Sequence, residues 1–413
     1  MAEDDIYGNK RHYEFFVDEK LKNKKILEKP KNHREGIYYC KNKVNLKYFN
    51  KLIRKFEVDD LSYARRLKLI QVLKILTYVM GIDLKDVNGL ERDKLIIKIR
   101  EITNSNQQLK RTQQDIKYMG KILFEDKEIP KFFKELEIKT DRSRQKARKD
   151  KLEYEEFEKL MRYFSKDDTL KAYLSVAMET LARPQELLYT KMEDVDFGEG
   201  YSFIQISEHG KEGIKKLLCI DSNPYLIRMI SKHKNNQNKK EFLFLNEKDR
   251  QLTPFSINKK LKKACNKVKI DKPITCYSIK RFGVTFKRLM GEDDVTIQRT
   301  AGWTSTKQLK TYDLTSQDDV YKKKLAERGL IKDKKYLRFM PKTKPCVYCG
   351  EIVGFAESIC PKCNHILDKD LIKQNYDDKS KAIEVLKVIM DDELVEMIQK
   401  KKQEHKEKLI SQP

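Results

Sequence analysis

The chain has 413 residues, too many for one compact core and suited to two or three domains. Lysine and arginine total 89 against 64 acidic residues, and the resulting charge of +25 is spread along the chain, a surface that attracts polyanions. Apolar residues make up 39% of the chain, and their longest runs are broken by lysine or arginine every few residues, which excludes a bilayer-spanning segment; residues 1–7 are acidic and unlike a secretory signal.

A soluble, cytoplasmic protein is therefore expected. Residues 1–57 are polar and lysine-rich and read as a basic N-terminal arm, flexible or partly helical. Helical periodicity begins at Ser62, where Leu69, Leu73, Leu76 and Met80 fall on one face and Gly81 stands at the stop position. Amphipathic stretches follow at 91–102 and 109–124, the second with Ile116, Met119 and Leu123 on one side. Residues 58–135 are thus predicted to form a small helical bundle. Residues 136–151 read as a basic linker, in which Lys139, Arg142, Arg144, Lys146, Arg148 and Lys149 follow one another without apolar periodicity. A solvated charged surface and a contact along a DNA backbone account for this stretch equally well.

From Leu152 to Leu188 the pattern is helical again. Tyr201, Phe203, Ile204 and Ile206 then read as one strand, and Leu217, Leu218 and Ile220 as another. Gly210 and Gly213 lie between them, so the two strands pair as a hairpin whose tip presents Lys211. Helices return at 256–267, 279–289 and 295–301. The predicted fold class is mainly α with a small antiparallel sheet, and the second domain spans 152–330.

Of eight cysteines, Cys40, Cys219, Cys265 and Cys276 are scattered and read as small apolar residues. The other four form two Cys-x-x-Cys pairs, Cys346/Cys349 and Cys360/Cys363, ten residues apart and with Gly350 directly after the first pair. Four thiolates on two tight turns make a tetrahedral Zn²⁺ site, and a segment this short has almost no core without one. A structural zinc ribbon is expected over 340–370. Because four cysteines leave no open coordination position, catalysis by the metal is not expected. A redox dithiol pair is the competing account, and no βαβ pattern accompanies it. Residues 371–413 read as a helical basic tail, with an amphipathic stretch at 383–398.

The chemistry lies in segments far apart in the chain. In Thr180-Leu-Ala-Arg183-Pro-Gln-Glu186, Arg183 and Glu186 are three apart, so on a helix the carboxylate can orient the guanidinium toward a phosphate. Alone, such a pair is commonly a surface ion pair of little value. Read with Gly210-Lys211, with Cys276-Tyr277-Ser-Ile-Lys280-Arg281 and with Ala301-Gly302-Trp303 followed at 312 by tyrosine, it resembles the motif series of the tyrosine recombinase, or phage integrase, family.

In that resemblance Arg183 matches the first catalytic arginine and Glu186 its acidic partner. Lys211 matches the hairpin lysine, Tyr277 the first histidine, Lys280 the second arginine, Trp303 the second histidine and Tyr312 the nucleophile. A lysine cannot clamp two phosphate oxygens with a planar fork. Arg281 is adjacent, supplies the guanidinium if the helix is shifted by one residue, and is favoured as phosphate ligand with Lys280 as a supporting cation.

The resemblance implies a site-specific recombinase that cleaves and rejoins duplex DNA through a 3′-phosphotyrosyl intermediate. It implies no nucleotide and no catalytic metal, a specific attachment site in double-stranded DNA, a homotetramer on that DNA and a nucleoid-associated location. It also implies that 58–135 is the core-binding domain, with Arg142, Arg144, Arg148 and Lys149 placed to follow the backbone. Two other readings share the fold: a DNA-binding regulator that has lost activity, and a topoisomerase of the single-strand-nicking type.

Overall fold

In the computed structural model, the amino-terminal segment folds instead of forming an arm. Helix α1 (Asn9–Phe15) continues into a π-helical stretch (Phe16–Lys22), and α2 spans Leu46–Val58. Tyr13, Phe16, Ile26, Phe49, Leu52 and Phe56 are buried in the same core as the helices that follow. This corrects the expected arm at 1–57. The physical cause is a helical stripe at 49, 52, 53 and 56, set among lysines that keep the opposite face in water.

The structure describes residues 6–29, 38–87, 89–103, 105–125, 128–139, 148–207, 213–234, 237–331, 344–354 and 356–367. The chain divides into two units, Met1–Lys149 and Asp150–Pro413. In the first, α3 (Tyr63–Met80) ends at Gly81 as expected and packs against α1, α2, α4 (Gly89–Ile102) and α5 (Asn106–Leu123). It is apolar nearly all round and sits at the centre, where each fully buried leucine contributes about 1.5–3 kcal/mol. Helix α6 (Lys131–Glu135) closes the unit through Phe132 and Phe133. Leu136 and Ile138 are buried in this core too, so the expected linker at 136–151 begins inside the unit. Arg148 and Lys149 are exposed, whereas Arg142 and Arg144 lie outside the described residues. No described helix is long and apolar enough to cross a membrane.

The second unit is built on α8 (Asp168–Thr180) and α12 (Cys276–Met290). They approach closely at Gly283, where an added Cβ would lie 2.2 Å from the Met178 carbonyl oxygen. Around them lie α7 (Tyr154–Tyr163), α9 (Pro184–Leu188), α10 (Asn223–Ser231), α11 (Pro254–Lys267), α13 (Asp294–Thr300), α14 (Leu309–Tyr312) and α15 (Gln317–Glu327). A three-stranded antiparallel sheet of order β1-β2-β3 comprises Val195–Phe197, Ser202–Ile206 and Lys215–Cys219. Ile204 pairs with Val195 on one side and Leu217 on the other. The fold is mainly helical with one small antiparallel sheet, in agreement with the sequence reading.

Strands β4 (Lys344–Pro345) and β5 (Ile352–Val353) flank the first cysteine pair, and the bridge between Ile359 and Ile366 flanks the second. This module is docked on the second unit: the Ala356 N–H donates to the Tyr225 hydroxyl at 3.0 Å, and Lys171 pairs with Glu357 at 2.5 Å. The four scattered cysteines are all buried, as expected of small apolar residues. The amphipathic stretch at 383–398 and the basic tail lie outside the described residues.

Candidate active site and metal centre

Helix α8 ends at Leu181, whose φ of 57° is left-handed, a conformation that costs a side-chain-bearing residue about 1–2 kcal/mol. The same residue is fully buried in a cluster with Val284, Ile297, Trp303 and Tyr312, which offsets that cost. The turn delivers Arg183 to the N-cap of α9, with Pro184 in its first turn. Glu186 reaches back and accepts the Arg183 N–H at 2.7 Å, and its other oxygen accepts Arg183 Nη1 at 3.1 Å. The pair is buried, unlike the surface ion pair that the spacing alone suggests.

From β3 comes a residue that sequence reasoning missed. Lys215 Nζ donates to Glu186 Oε2 at 2.8 Å and to the Ala301 carbonyl at 3.0 Å. The available signal was the strand period: Lys215 is in phase with the inward residues Leu217 and Cys219. Lys211, the expected hairpin lysine, lies outside the described residues.

On α12, adjacent residues diverge by the helical rotation of about 100°. Lys280 and Val284 are four apart and face the cluster that holds Trp303 and Tyr312. Arg281 faces elsewhere, with its guanidinium on the Asp150 carboxylate, which also accepts a hydrogen bond from Ser278 Oγ at 2.8 Å. The register is fixed by packing: Phe282 stacks near Phe157, and Phe286 lies against Tyr154. Of the two candidates for the phosphate ligand, Lys280 lies beside Trp303 and Tyr312, whereas Arg281, the one favoured from the sequence, pairs with Asp150. Tyr277, half-buried, stands one turn before Lys280.

Gly302 follows α13 with φ of 66°, and an added Cβ would strike the Lys215 side chain at 2.5 Å. Glycine is required there on both counts. The turn is closed by Gln298, which accepts the Trp303 N–H at 2.9 Å through its carbonyl and donates from its side-chain amide to the Trp303 carbonyl at 3.0 Å. Trp303 and Tyr312 then stack, with centroids 5.3 Å apart and planes 22° apart. Lys280 Nζ lies 5.2 Å from the Trp303 ring centroid and 4.9 Å from that of Tyr312.

The electrostatics follow from burial. Lys280 is 0% exposed, and its Nζ has no hydrogen-bond partner among the described residues. Burial holds its amine well below the ordinary lysine range; Arg183 and Lys215 push the same way, and Glu186 opposes them. Two cation–π contacts contribute about 0.5–2 kcal/mol each, less than the several kcal/mol that burying an ion costs. Burial also lowers Lys215, partly countered by Glu186. Burial alone would raise the Glu186 carboxyl, but Lys215 and the Arg183 N–H hold it below its usual value. Trp303 Nε1 is a second buried donor without a hydrogen-bond partner among the described residues. Two orphan donors beside Arg183 are suited to an anion.

The four paired cysteines form the candidate metal centre. Their sulfurs all lie within 4.8 Å of one another, with Cys346 and Cys363 at 3.6 Å and Cys349 and Cys360 at 3.6 Å. A tetrahedral Zn²⁺ with bonds of about 2.3 Å needs sulfur–sulfur edges of roughly 3.8 Å, so the donor set fits the metal.

Comparison with known proteins agrees with this geometry. Residues 150–318 match the model of the phage integrase family. The fold is similar to the Tn1549 transposon integrase solved with transposon right end DNA (13% identity, 68% of this chain and 99% of that chain, TM-score 0.52). It is also similar to a lambda integrase dimer bound to a COC′ core site (14% identity, 78% of this chain and 90% of that chain, TM-score 0.52). A third likeness is to XerH site-specific recombinase bound to a palindromic difH substrate (15% identity, 65% of this chain and 81% of that chain, TM-score 0.51). No curated protein matches the chain in sequence. Residues 150–318, the part that matches the phage integrase family model, carry Arg183, Lys215, Lys280, Trp303 and Tyr312.

Proposed function

We propose that this protein is a site-specific DNA recombinase of the integrase kind, acting through a covalent bond between Tyr312 and a DNA 3′-phosphate. One observation carries the reading. Arg183, Lys215, Lys280, Trp303 and Tyr312 come from five parts of a phage integrase family domain and share one buried neighbourhood, with two polar donors lacking acceptors among the described residues.

Phosphodiester cleavage needs a nucleophile, donors for the phosphorane oxygens and an acid for the leaving alkoxide. Tyr312 attacks phosphorus, Arg183 and Lys280 face the non-bridging oxygens, and Trp303 and Tyr277 donate hydrogen bonds. Lys211 protonates the 5′ oxygen. Glu186 and Lys215 are positioning residues: the carboxylate aims Arg183, and Lys215 ties β3 to the turn before Trp303. Arg281, held on Asp150, fixes the rotation of α12. The phosphotyrosyl ester keeps the free energy of the broken bond, so rejoining needs no nucleotide.

The substrate is duplex DNA with a specific attachment site, bound by a homotetramer in the cytoplasm at the nucleoid. The net charge of +25 supports a polyanionic partner, and the helical first unit supplies the core-binding module. Arg142, Arg144, Arg148 and Lys149 contact the DNA backbone. The four cysteines hold one structural Zn²⁺, which closes the ribbon on α8 and α10.

Incubation with a randomised pool of nicked duplexes should give an SDS-resistant protein–DNA adduct that Tyr312→Phe abolishes while leaving DNA affinity within about twofold. A second reading, a regulator without activity, is favoured by Lys280 in place of arginine; binding without adduct from the wild type would establish it. Adduct with plasmid relaxation but no strand exchange would indicate a topoisomerase.

A further inference from the structure

We propose that Lys280 accepts the phenolic proton of Tyr312 as the phosphotyrosyl bond forms, so that its amine becomes cationic as the phosphorane appears. This rests on the recombinase reading and adds to it a residue that an arginine could not replace, since a guanidinium does not give up its proton in a protein.

The grounds are the surroundings of the amine and the absence of rivals among the described residues. Lys280 is fully buried, points at the faces of Tyr312 and Trp303, and has no acceptor among the described residues that would hold it protonated. The groups acting on it are Arg183 and Glu186 from α9 and Lys215 from β3, with Tyr277 on its own helix. Two cations against one carboxylate leave a positive balance before Lys280 is counted, so a further proton there is disfavoured. Both Glu186 oxygens are already engaged by Arg183 and Lys215. Asp150 is on the Arg281 face of α12, and Asp313, next to Tyr312, accepts from Thr315 and lies near Arg288.

Neither described histidine of this unit is in the site. His233 is bonded to the Phe242 carbonyl, and His365 stacks on Tyr348 in the ribbon. The positions that match the family's histidines hold Tyr277 and Trp303, and an indole only donates. Among the described residues, Lys280 is the nitrogen base left for the phenol.

The step balances without a co-reactant. The Tyr312 O–H bond breaks and an N–H bond forms on Lys280, giving an ammonium. The phenolate oxygen bonds to phosphorus, and the bond from phosphorus to the 5′ oxygen breaks. That oxygen takes its proton from the general acid of the recombinase reading. The new ammonium then donates to a non-bridging oxygen, so its charge is present in the transition state and absent before it, which is the kind of interaction that accelerates a step. On rejoining, the proton returns to the phenol.

The test uses the full chain and a nicked duplex recovered in the adduct selection. For the wild type, the single-turnover adduct rate should rise with pH to a plateau as Lys280 loses its proton. Lys280→Arg keeps a cation and removes the base; the rate should fall about 100-fold and lose that rise. A Lys280→Arg rate equal to or above wild type would overturn the proposal, because the lysine would then be only a phosphate cation. Should circular dichroism show that Lys280→Arg does not fold, Lys280→Ala with added methylamine decides. Rescue that follows the free-base concentration supports proton transfer, and rescue that follows the ammonium concentration, or no rescue, refutes it. Absence of adduct from the wild type would instead defeat the recombinase reading itself.

Discussion

Two clusters in the second unit each gather several groups of one chemical kind, and they are built in opposite ways. The cysteine cluster draws its four sulfurs from 18 consecutive residues, with each pair carried by a tight turn. The cation cluster draws Arg183, Lys215 and Lys280 from across nearly a hundred residues and holds them by α9, β3 and α12. In the first the donors suit a resident ion that supplies the folding energy of the module. In the second, one carboxylate serves two cations and leaves Lys280 without an acceptor, so the fold bears the cost of burying it. On the proposed reading, a centre filled permanently is complete with its ion, whereas one that takes and releases a phosphate is kept polar at the expense of stability.

Lys280→Met sharpens this contrast most, because it should separate activity from stability. Adduct formation should drop by a factor on the order of 1,000, while unfolding free energy at neutral pH stays level or rises by about 1–4 kcal/mol. The sign follows from linkage. The folded-state value of Lys280 is below its ordinary 10.5, so between the two values the unfolded chain binds a proton that the folded one does not. Wild-type stability should therefore climb with pH across that window, and the Lys280 contribution to the climb should be missing in the methionine variant. Denaturant unfolding as a function of pH checks both points, and a variant less stable than wild type would contradict them.

Glu186→Gln acts in the opposite direction. It leaves Arg183 and Lys215 buried without their carboxylate, and the expected loss is about 3–5 kcal/mol of stability at pH 7, read by urea unfolding. The folded carboxyl lies below its ordinary 4.5, so its contribution is in place above that value and is lost as pH falls through the folded one. The variant should show a correspondingly smaller acid-induced loss.

The ribbon gives the smallest effect. Glu357→Gln removes the partner of the buried Lys171 and should cost about 3 kcal/mol, a fall in Tm of roughly 6–12 °C, with metal content still one Zn²⁺ per chain. A variant that loses its zinc would mean that docking and coordination are one structure, and the contrast between the two clusters would weaken.

Local signals made most of this architecture readable. The helix from Tyr63 to Met80 follows its leucine spacing, the paired strands their alternation, and the cysteine cluster its two Cys-x-x-Cys pairs. Tyr312 stood out only through its distance from Gly302-Trp303. What escaped depended on packing. The stripe of Phe49, Leu52, Ile53 and Phe56 was masked by lysines that cover the solvent side of α2. Lys215 carries no distinguishing local signal beyond its strand phase, and it is the pairing of β3 with β2 that turns it inward with Leu217. The choice between Lys280 and Arg281 is a rotation of about 100°, and it was decided by Phe282 and Phe286 seating on Phe157 and Tyr154.

The central claim is tested most directly by locating the covalent bond. Adduct formed on a nicked duplex should be digested with nuclease and protease and its nucleotide-bearing peptide sequenced by mass spectrometry. A 3′-phosphonucleotide on the phenolic oxygen of Tyr312 is the predicted result. Attachment to another residue, or repeated failure to capture any nucleotide from a preparation that binds DNA, would contradict it.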